Sequence, residues 1–181
     1  MTQNTFSIAV LPGDGIGGEV LDAGIAVLDA ATRRVGGFCL DYKRLEAGAG
    51  TYQRTGVALP DASVQAAERA DAMLLGAMGL PDVRYADGTE ISPQLDLREK
   101  FELYAGVRPV RAFDGLPTRL ADPRAAGIDF VLVREQTEGL FAERGRPQIR
   151  ETEVRDTLVV THARSRRVFD FAFRLARERK A

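Results

Sequence analysis

"FSIAVLPGDGIGGEV", residues 6–20, sets how the rest of the chain is read. A short apolar strand breaks at Pro12-Gly13-Asp14-Gly15, and helical spacing follows. Val20, Ile25, Val27, Leu28 and Ala31 recur at intervals that place them on one helical face. Gly36-Gly37 stops that helix. A strand that feeds a glycine turn and then a helix is the opening of an α/β unit.

The same grammar continues outward. "FCLDYKRLEAG" (38–48) alternates as a second strand, and Leu59-Pro60 makes a turn with Asp61 as N-cap of a short helix. "DAMLLGAMG" (71–79) is a continuous apolar run ending in glycine, as a buried parallel strand would be. "LPDVRYADGTEISPQ" (80–94) is loop, with Ser92 as N-cap and Pro93 at the first helical position of "QLDLREKFELYAG". Strand "VRPVRAF" (107–113), connector "GLPTRLADPRAAG" (115–127) and buried strand "IDFVLVRE" (128–135) come next. Two-sided strand-like segments occupy 147–165, and the helix "RRVFDFAFRLARERK" (166–180) closes the chain. Strands alternating with helices give an α/β fold, a mixed sheet with flanking helices. The apolar stripe Val168, Phe171, Ala172, Leu175 runs almost to the last residue, where a strand should follow, so either that helix docks on existing strands or the fold is incomplete.

Bulk properties narrow the function classes. At 181 residues the chain suits one ordinary domain or two small ones. A hydrophobic share of 45% and a charged share of 28% are those of a soluble globular protein. A net charge of -1 offers no global attraction to nucleic acid or membrane. The start "MTQNTFS" lacks a basic segment before an apolar core, and no apolar run is long enough to span a bilayer. Cys39 is the sole cysteine, suiting a reducing compartment, and the expected location is the cytoplasm.

Arginines are the first candidates for chemistry. Arg98 lies in a helix behind a glycine-bearing loop, Arg108 near the start of a strand, and Arg134 at the end of a buried one. Apolar flanks bring all three close to the core, where an unpaired guanidinium is costly. Converging guanidinium forks suit carboxylates or phosphates, so a small di- or tricarboxylate would satisfy several at once. The spacing equally allows each to pair with a local acid: Asp96, Glu99, Glu102 or Glu135. The loop "LPGDGIGGE" could present backbone N–H groups to an anion or serve only as a tight turn. It lacks the dinucleotide fingerprint with its following acidic residue, so the fold is not a Rossmann fold. His162 stands without a second histidine or a nucleophile motif. Arg174, Arg177, Arg179 and Lys180 read as a solvated face of the last helix.

Taken in order from Ile8 to Arg146, "LPGDGIGGEV", "DAMLLGAMGLP", "LDLREKFELYAGVRPVRAF" and "FVLVREQTEGLFAERG" resemble the metal-dependent β-decarboxylating dehydrogenases. That family includes isocitrate, 3-isopropylmalate, homoisocitrate and tartrate/D-malate dehydrogenases. Gly18 stands where many members carry proline. The resemblance spans essentially the whole chain, but the chain covers only about the first half of a family member. It implies an isocitrate/isopropylmalate dehydrogenase-like fold. Residues 1–103 would be the N-terminal part of a large cofactor-side domain, and 104–181 part of a smaller substrate and dimerisation domain.

The resemblance also implies roles. Arg98, Arg108 and Arg134 would hold the malate-type carboxylates. NAD or NADP would lie against the loop from Gly76 to Thr89, through Gly76, Ala77, Met78, Gly79 and Thr89, with Gly13, Asp14, Gly15 and Ile16 nearby. The family oxidises C2 and then releases CO2 from C3, with Mg2+ or Mn2+ as Lewis acid and a tyrosine and a lysine around the proton transfers. Phe141 occupies the tyrosine position, keeping a ring that has no proton to give. The lysine, the metal-binding aspartates and the adenosine-binding loop would follow residue 181, and Asp14, Asp82 and Asp87 are not spaced to replace them. No metal ligand is therefore expected here, and the chain alone is expected to be inactive.

Ser92 and Gln94 fall where isocitrate enzymes recognise the distal carboxylate, and only Leu95 and Leu97 offer an apolar surface for an isopropyl group. A 3-substituted malate of the 3-isopropylmalate, tartrate or D-malate type is the leading substrate. An isocitrate or homoisocitrate enzyme and a non-catalytic carboxylate- or nucleotide-binding module are the alternatives. A homodimer through an arm from Arg146 to Thr161 is also implied, its "TLVV" run (157–160) being apolar on both sides.

Overall fold

The computed structural model describes residues 4–116 and 120–179. The chain forms two compact units, Met1–Leu97 and Arg98–Ala181. The fold is mixed α/β. Lys180 of the last helix and residues 117–119 of the connector lie outside the described residues.

In the first unit the order is β1 (Asn4–Leu11), α1 (Gly17–Val35), β2 (Phe38–Arg44), α2 (Ala49–Thr55), α3 (Asp61–Glu68) and β3 (Ala72–Leu75). The sheet is parallel, in the order β2–β1–β3. Parallel neighbours cannot be joined by a hairpin, so helices make the crossovers. Central β1 is the most buried strand of the sheet, with Ala9, Val10 and Leu11 fully buried. β3 pairs on one side only, and its burial is partial rather than the complete burial that its apolar run suggests.

Three local expectations change. The buried residues of α1 are Gly17 and Leu21, four apart, whereas Val20 and Val27 of the expected apolar face are 53% and 70% exposed. The periodicity was genuine, but helical spacing alone does not say which side meets the sheet. α3 contains Asp61 in its first turn, with Pro60 at the cap and no side-chain cap bond, so Asp61 acts on the helix end through its charge. α2 has no anticipation in the pattern of "AGTYQRT". Its first N–H groups are capped from far away: Asp14 Oδ2 accepts from Ala49 N at 2.7 Å and Oδ1 from Gly50 N at 2.7 Å.

α4 (Pro93–Lys100) begins at proline as expected and contains the boundary between the units. It ends earlier than its sequence pattern: Glu102 takes a left-handed φ of 47° and Leu103 N bonds back to Arg98 O at 2.9 Å. In the second unit β4 (Ala105–Arg111) pairs antiparallel with β5 (Asp129–Glu135), and a short 3-10 helix, Pro123–Gly127, leads into β5. β6 (Gln148–Ile149) and β7 (Val154–Arg155) form a small antiparallel ribbon. α5 (His162–Glu178) starts at Thr161, whose side chain accepts from Arg164 N, and its Ala172, Leu175 and Ala176 line a groove with Val131 and Val133 of β5. No described helix is long and apolar enough to cross a membrane.

Candidate functional site: an arginine cluster and a braced glycine loop

The antiparallel register pairs Gly106 with Arg134 and Arg108 with Leu132. Residues two apart on a strand share a face, so Arg108 and Arg134 are diagonal neighbours on one face of the ribbon. The residue opposite Arg134 is Gly106, over which the end of the Gln136 side chain lies. A Cβ at Gly106 would come 2.5 Å from the Gln136 side-chain carbonyl carbon. Arg98, in the last turn of α4, completes the group. Its guanidinium is held below its ordinary range, first by burial and then by the positive charges of Arg134 and Arg108. Two of the four local acids that could have neutralised the cluster are engaged elsewhere. Glu102 pairs with Arg167 at 3.2 Å. Glu135 folds over its own turn, taking Thr137 N at 2.9 Å, Thr137 Oγ at 2.5 Å and Glu138 N at 2.6 Å. Guanidinium groups that share a neighbourhood have the donor geometry that carboxylates and phosphates accept.

Behind Arg134 the chain turns and returns Phe141, whose ring centroid is 5.3 Å from the guanidinium carbon. The face of the ring thus meets the cation, within the range of a cation–π contact. Glu138, in the middle of this turn, is 7% exposed. It accepts from Thr161 N at 2.8 Å and from Thr161 Oγ at 2.6 Å, with Arg164 Nε 3.7 Å away. Burial pushes its carboxyl up, but the Thr161 bonds and the charges of Arg164 and Arg167 outweigh this and hold it below the usual range. Sequence reading missed Glu138, because its partners lie more than twenty residues away and leave no local spacing signal.

The glycine loop has the close packing of a structural tight turn, one of the two readings that its sequence allows. Gly13 has φ 72°, and a Cβ there would sit 2.1 Å from Ala77 O. At Gly76 a Cβ would sit 2.1 Å from Pro12 O. Glycine at these positions lets the segments after β1 and β3 touch each other, as the bond from Asp14 N to Ala77 O at 2.7 Å shows. Gly15 and Gly18 face open space, and Ile16 is exposed. The buried Asp14 carboxylate accepts from Ala49 N, Gly50 N and, at 2.7 Å, Gly79 N, binding three loops together. Met78 packs beside Gly13. Thr89 closes a tight turn, with Thr89 O accepting from Tyr85 N and Thr89 N donating to Asp87. Ser92 Oγ donates to Glu90 O at 3.3 Å, and Gln94 Oε1 is buried without a hydrogen-bond partner. Among the described residues no three His, Cys, Asp or Glu side chains gather as a divalent metal would require. His162 is simply the first residue of α5.

Residues 7–181 match the sequence model of the family described as isocitrate/isopropylmalate dehydrogenase. The 3-isopropylmalate dehydrogenase of Moorella thermoacetica is 38% identical across 97% of this chain and 51% of its own length. The decarboxylating D-malate dehydrogenase of Escherichia coli is 39% identical across 98% of this chain and 50% of its own. The crystal structure of isocitrate dehydrogenase from Methylococcus capsulatus superposes with a TM-score of 0.78 at 30% identity, over 96% of this chain and 48% of that one. The chain spans about half the length of the curated relatives it matches.

Proposed function

Because the chain belongs to the isocitrate/isopropylmalate dehydrogenase family, a family of dehydrogenases and decarboxylases, we propose that it is the carboxylate-binding and cofactor-contacting part of an NAD(P)-dependent oxidative decarboxylase of a 3-substituted malate. In this reading residues 1–103 belong to the cofactor side and 104–181 to the substrate and dimerisation side. One observation supports it above the others: Arg108 and Arg134 share one face of the β4–β5 ribbon, and both act as like charges on Arg98. A substrate dicarboxylate would supply opposing negative charge. Arg108 and Arg134 would take one carboxylate from the same ribbon face, and Arg98 would close on the other. Gln94 is one helical turn ahead of Arg98, on the same face of α4. Its unpartnered oxygen suits a donor on the C3 substituent, as a tartrate hydroxyl would provide, with Ser92 alongside. Two of the relatives are named for D-malate and tartrate.

The dinucleotide would rest on the surface around Gly15, Ile16 and the segment Gly76–Gly79, with Thr89 at its margin. When bound, its nicotinamide supplies the hydride acceptor for oxidation at C2. What this chain's residues contribute is orientation: three guanidinium groups fix the carboxylates, so that C2 and C3 are held in one geometry. The described residues do not fit the Mg2+ or Mn2+ of the family, and no step is assigned to a metal. Phe141 has no proton to donate, which favours as second reading a non-catalytic carboxylate-binding module.

Calorimetric titration of the purified chain with D-malate, tartrate and 3-isopropylmalate tests the proposal. Binding of at least one, abolished by Arg108→Gln and Arg134→Gln, is expected. Heats that are absent for all three, or unchanged in both variants, would overturn it. Turnover then separates the two readings: NADH or NADPH formation with Mn2+ would exclude the module.

A further inference from the structure

We infer that Glu138 is a positioning residue, the point at which α5 holds both chain segments that carry the arginines in one arrangement. It rests on the carboxylate-binding reading above.

Thr161, Arg164 and Arg167 recur every third position at the start of α5 and share one side of it. Their contacts run to two places far apart in sequence. Thr161 and Arg164 reach the turn after β5: Thr161 donates twice to Glu138, and Arg164 Nη1 donates to Thr137 O at 3.2 Å. Arg167 reaches the segment before β4. It pairs with Glu102 and stacks over the Tyr104 ring at 4.2 Å, and that ring packs edge-on against Phe171 at 6.3 Å. The two places are themselves joined, since Gln136 N donates to Tyr104 O at 3.1 Å. Arg134 and Phe141 flank the turn after β5 in sequence, and Arg98 and Arg108 flank the segment 102–104 before β4.

Glu138 is the carboxylate that ties the start of α5 to the turn after β5. It is nearly inaccessible, both oxygens are occupied by Thr161, and two arginines of α5 act on its charge. Arg167 Nε and Nη2 are buried without hydrogen-bond partners among the described residues, and Glu102 is the carboxylate that Arg167 pairs with directly. Removing the Glu138 carboxylate would take away the acceptor of both Thr161 bonds and the partner of Arg164. It would also loosen the turn on which Arg134 depends for its direction. A guanidinium fork recognises a carboxylate through two directed bonds, so a loss of direction is a loss of affinity.

The test uses Glu138→Gln and the milder Thr161→Val in the 181-residue chain, with two readouts. Site-resolved amide exchange without ligand reports the brace. D-malate titration by calorimetry reports the site. The expected result is exchange about tenfold faster at residues 137–141 and 102–104, unchanged exchange at Ala49 and Gly50, and D-malate affinity about tenfold weaker, with Thr161→Val intermediate. Unchanged exchange at 137–141 in both variants would overturn the inference. So would a uniform rise across the whole β4–β5 ribbon with unaltered affinity, because Glu138 would then serve stability alone. If the unaltered chain takes none of D-malate, tartrate and 3-isopropylmalate, the carboxylate reading falls, and faster exchange confined to the two segments still upholds the brace.

Discussion

The guanidinium of Arg134 lies 5.3 Å from the centroid of the Phe141 ring, so the residue at the end of β5 and the aromatic residue seven positions later face each other across one turn. A cation–π contact at an exposed position contributes about 0.5–1 kcal/mol. Phe141→Leu should therefore weaken dicarboxylate binding about threefold while leaving the melting temperature nearly unchanged, whereas Phe141→Tyr should preserve affinity. Calorimetry beside thermal melts checks both, and equal affinity in Leu and Phe forms would show that the ring does not orient Arg134.

Repulsion within the arginine cluster makes the ligand-free protein pay a cost that a ligand removes. Arg98→Gln should raise the melting temperature of the free chain and lower affinity for D-malate about tenfold or more, since hydrogen bonds to charged groups contribute about 1.5–3 kcal/mol. Added D-malate should stabilise the parent chain and not the variant. A destabilised Arg98→Gln chain would mean that its guanidinium has an acceptor within the protein.

Glu138 makes stability depend on acid. Its folded-state pKa lies below the ordinary value, so the unfolded chain binds its proton more readily. The contribution is complete above about pH 4.3, the usual glutamate pKa, and disappears as pH falls through the lower folded-state value. Melting curves from neutral pH downward should show the parent and Glu138→Gln chains converging in acid. A constant gap would exclude titration of Glu138 as its origin.

Asp14 should be far less replaceable than a solvent-facing loop aspartate. Asp14→Asn keeps one oxygen for the N–H groups of Ala49, Gly50 and Gly79 and sets an amide donor against them. A loss of about 2–3 kcal/mol, concentrated in the first unit, is expected from denaturant unfolding followed by amide exchange. A variant as stable as the parent would show that water replaces those bonds.

The arm from Arg146 to Thr161 exposes Ile149, Val154, Leu158 and Val160 at 76%, 66%, 63% and 66%. Exposed apolar surface of this kind is what self-association would cover. Sedimentation should show self-association that Ile149→Lys with Leu158→Glu reduces. A parent chain that sediments as a monomer would remove the arm from consideration.

Much of the fold was legible because its signals are local. The Pro12–Gly15 break after β1, the stop at Gly36, the start at Pro93 and the apolar runs of β1 and β5 each follow from backbone freedom or periodicity within a few residues. The candidate arginines could also be named from sequence, since a cation at the end of an apolar strand is conspicuous. Tertiary structure alone decided what those residues meet. Asp14 reads as an anion-loop residue, yet its partners are 35, 36 and 65 positions away, and they turn it into a remote cap for α2. Arg98 could have paired with any of four nearby acids; the antiparallel register and the engagement of Glu102 and Glu135 leave it beside two other cations instead. Glu138 had no local pattern to mark it. Hydrogen bonds and charges select partners by distance in space, and sequence separation carries no record of that distance once the chain has folded back on itself.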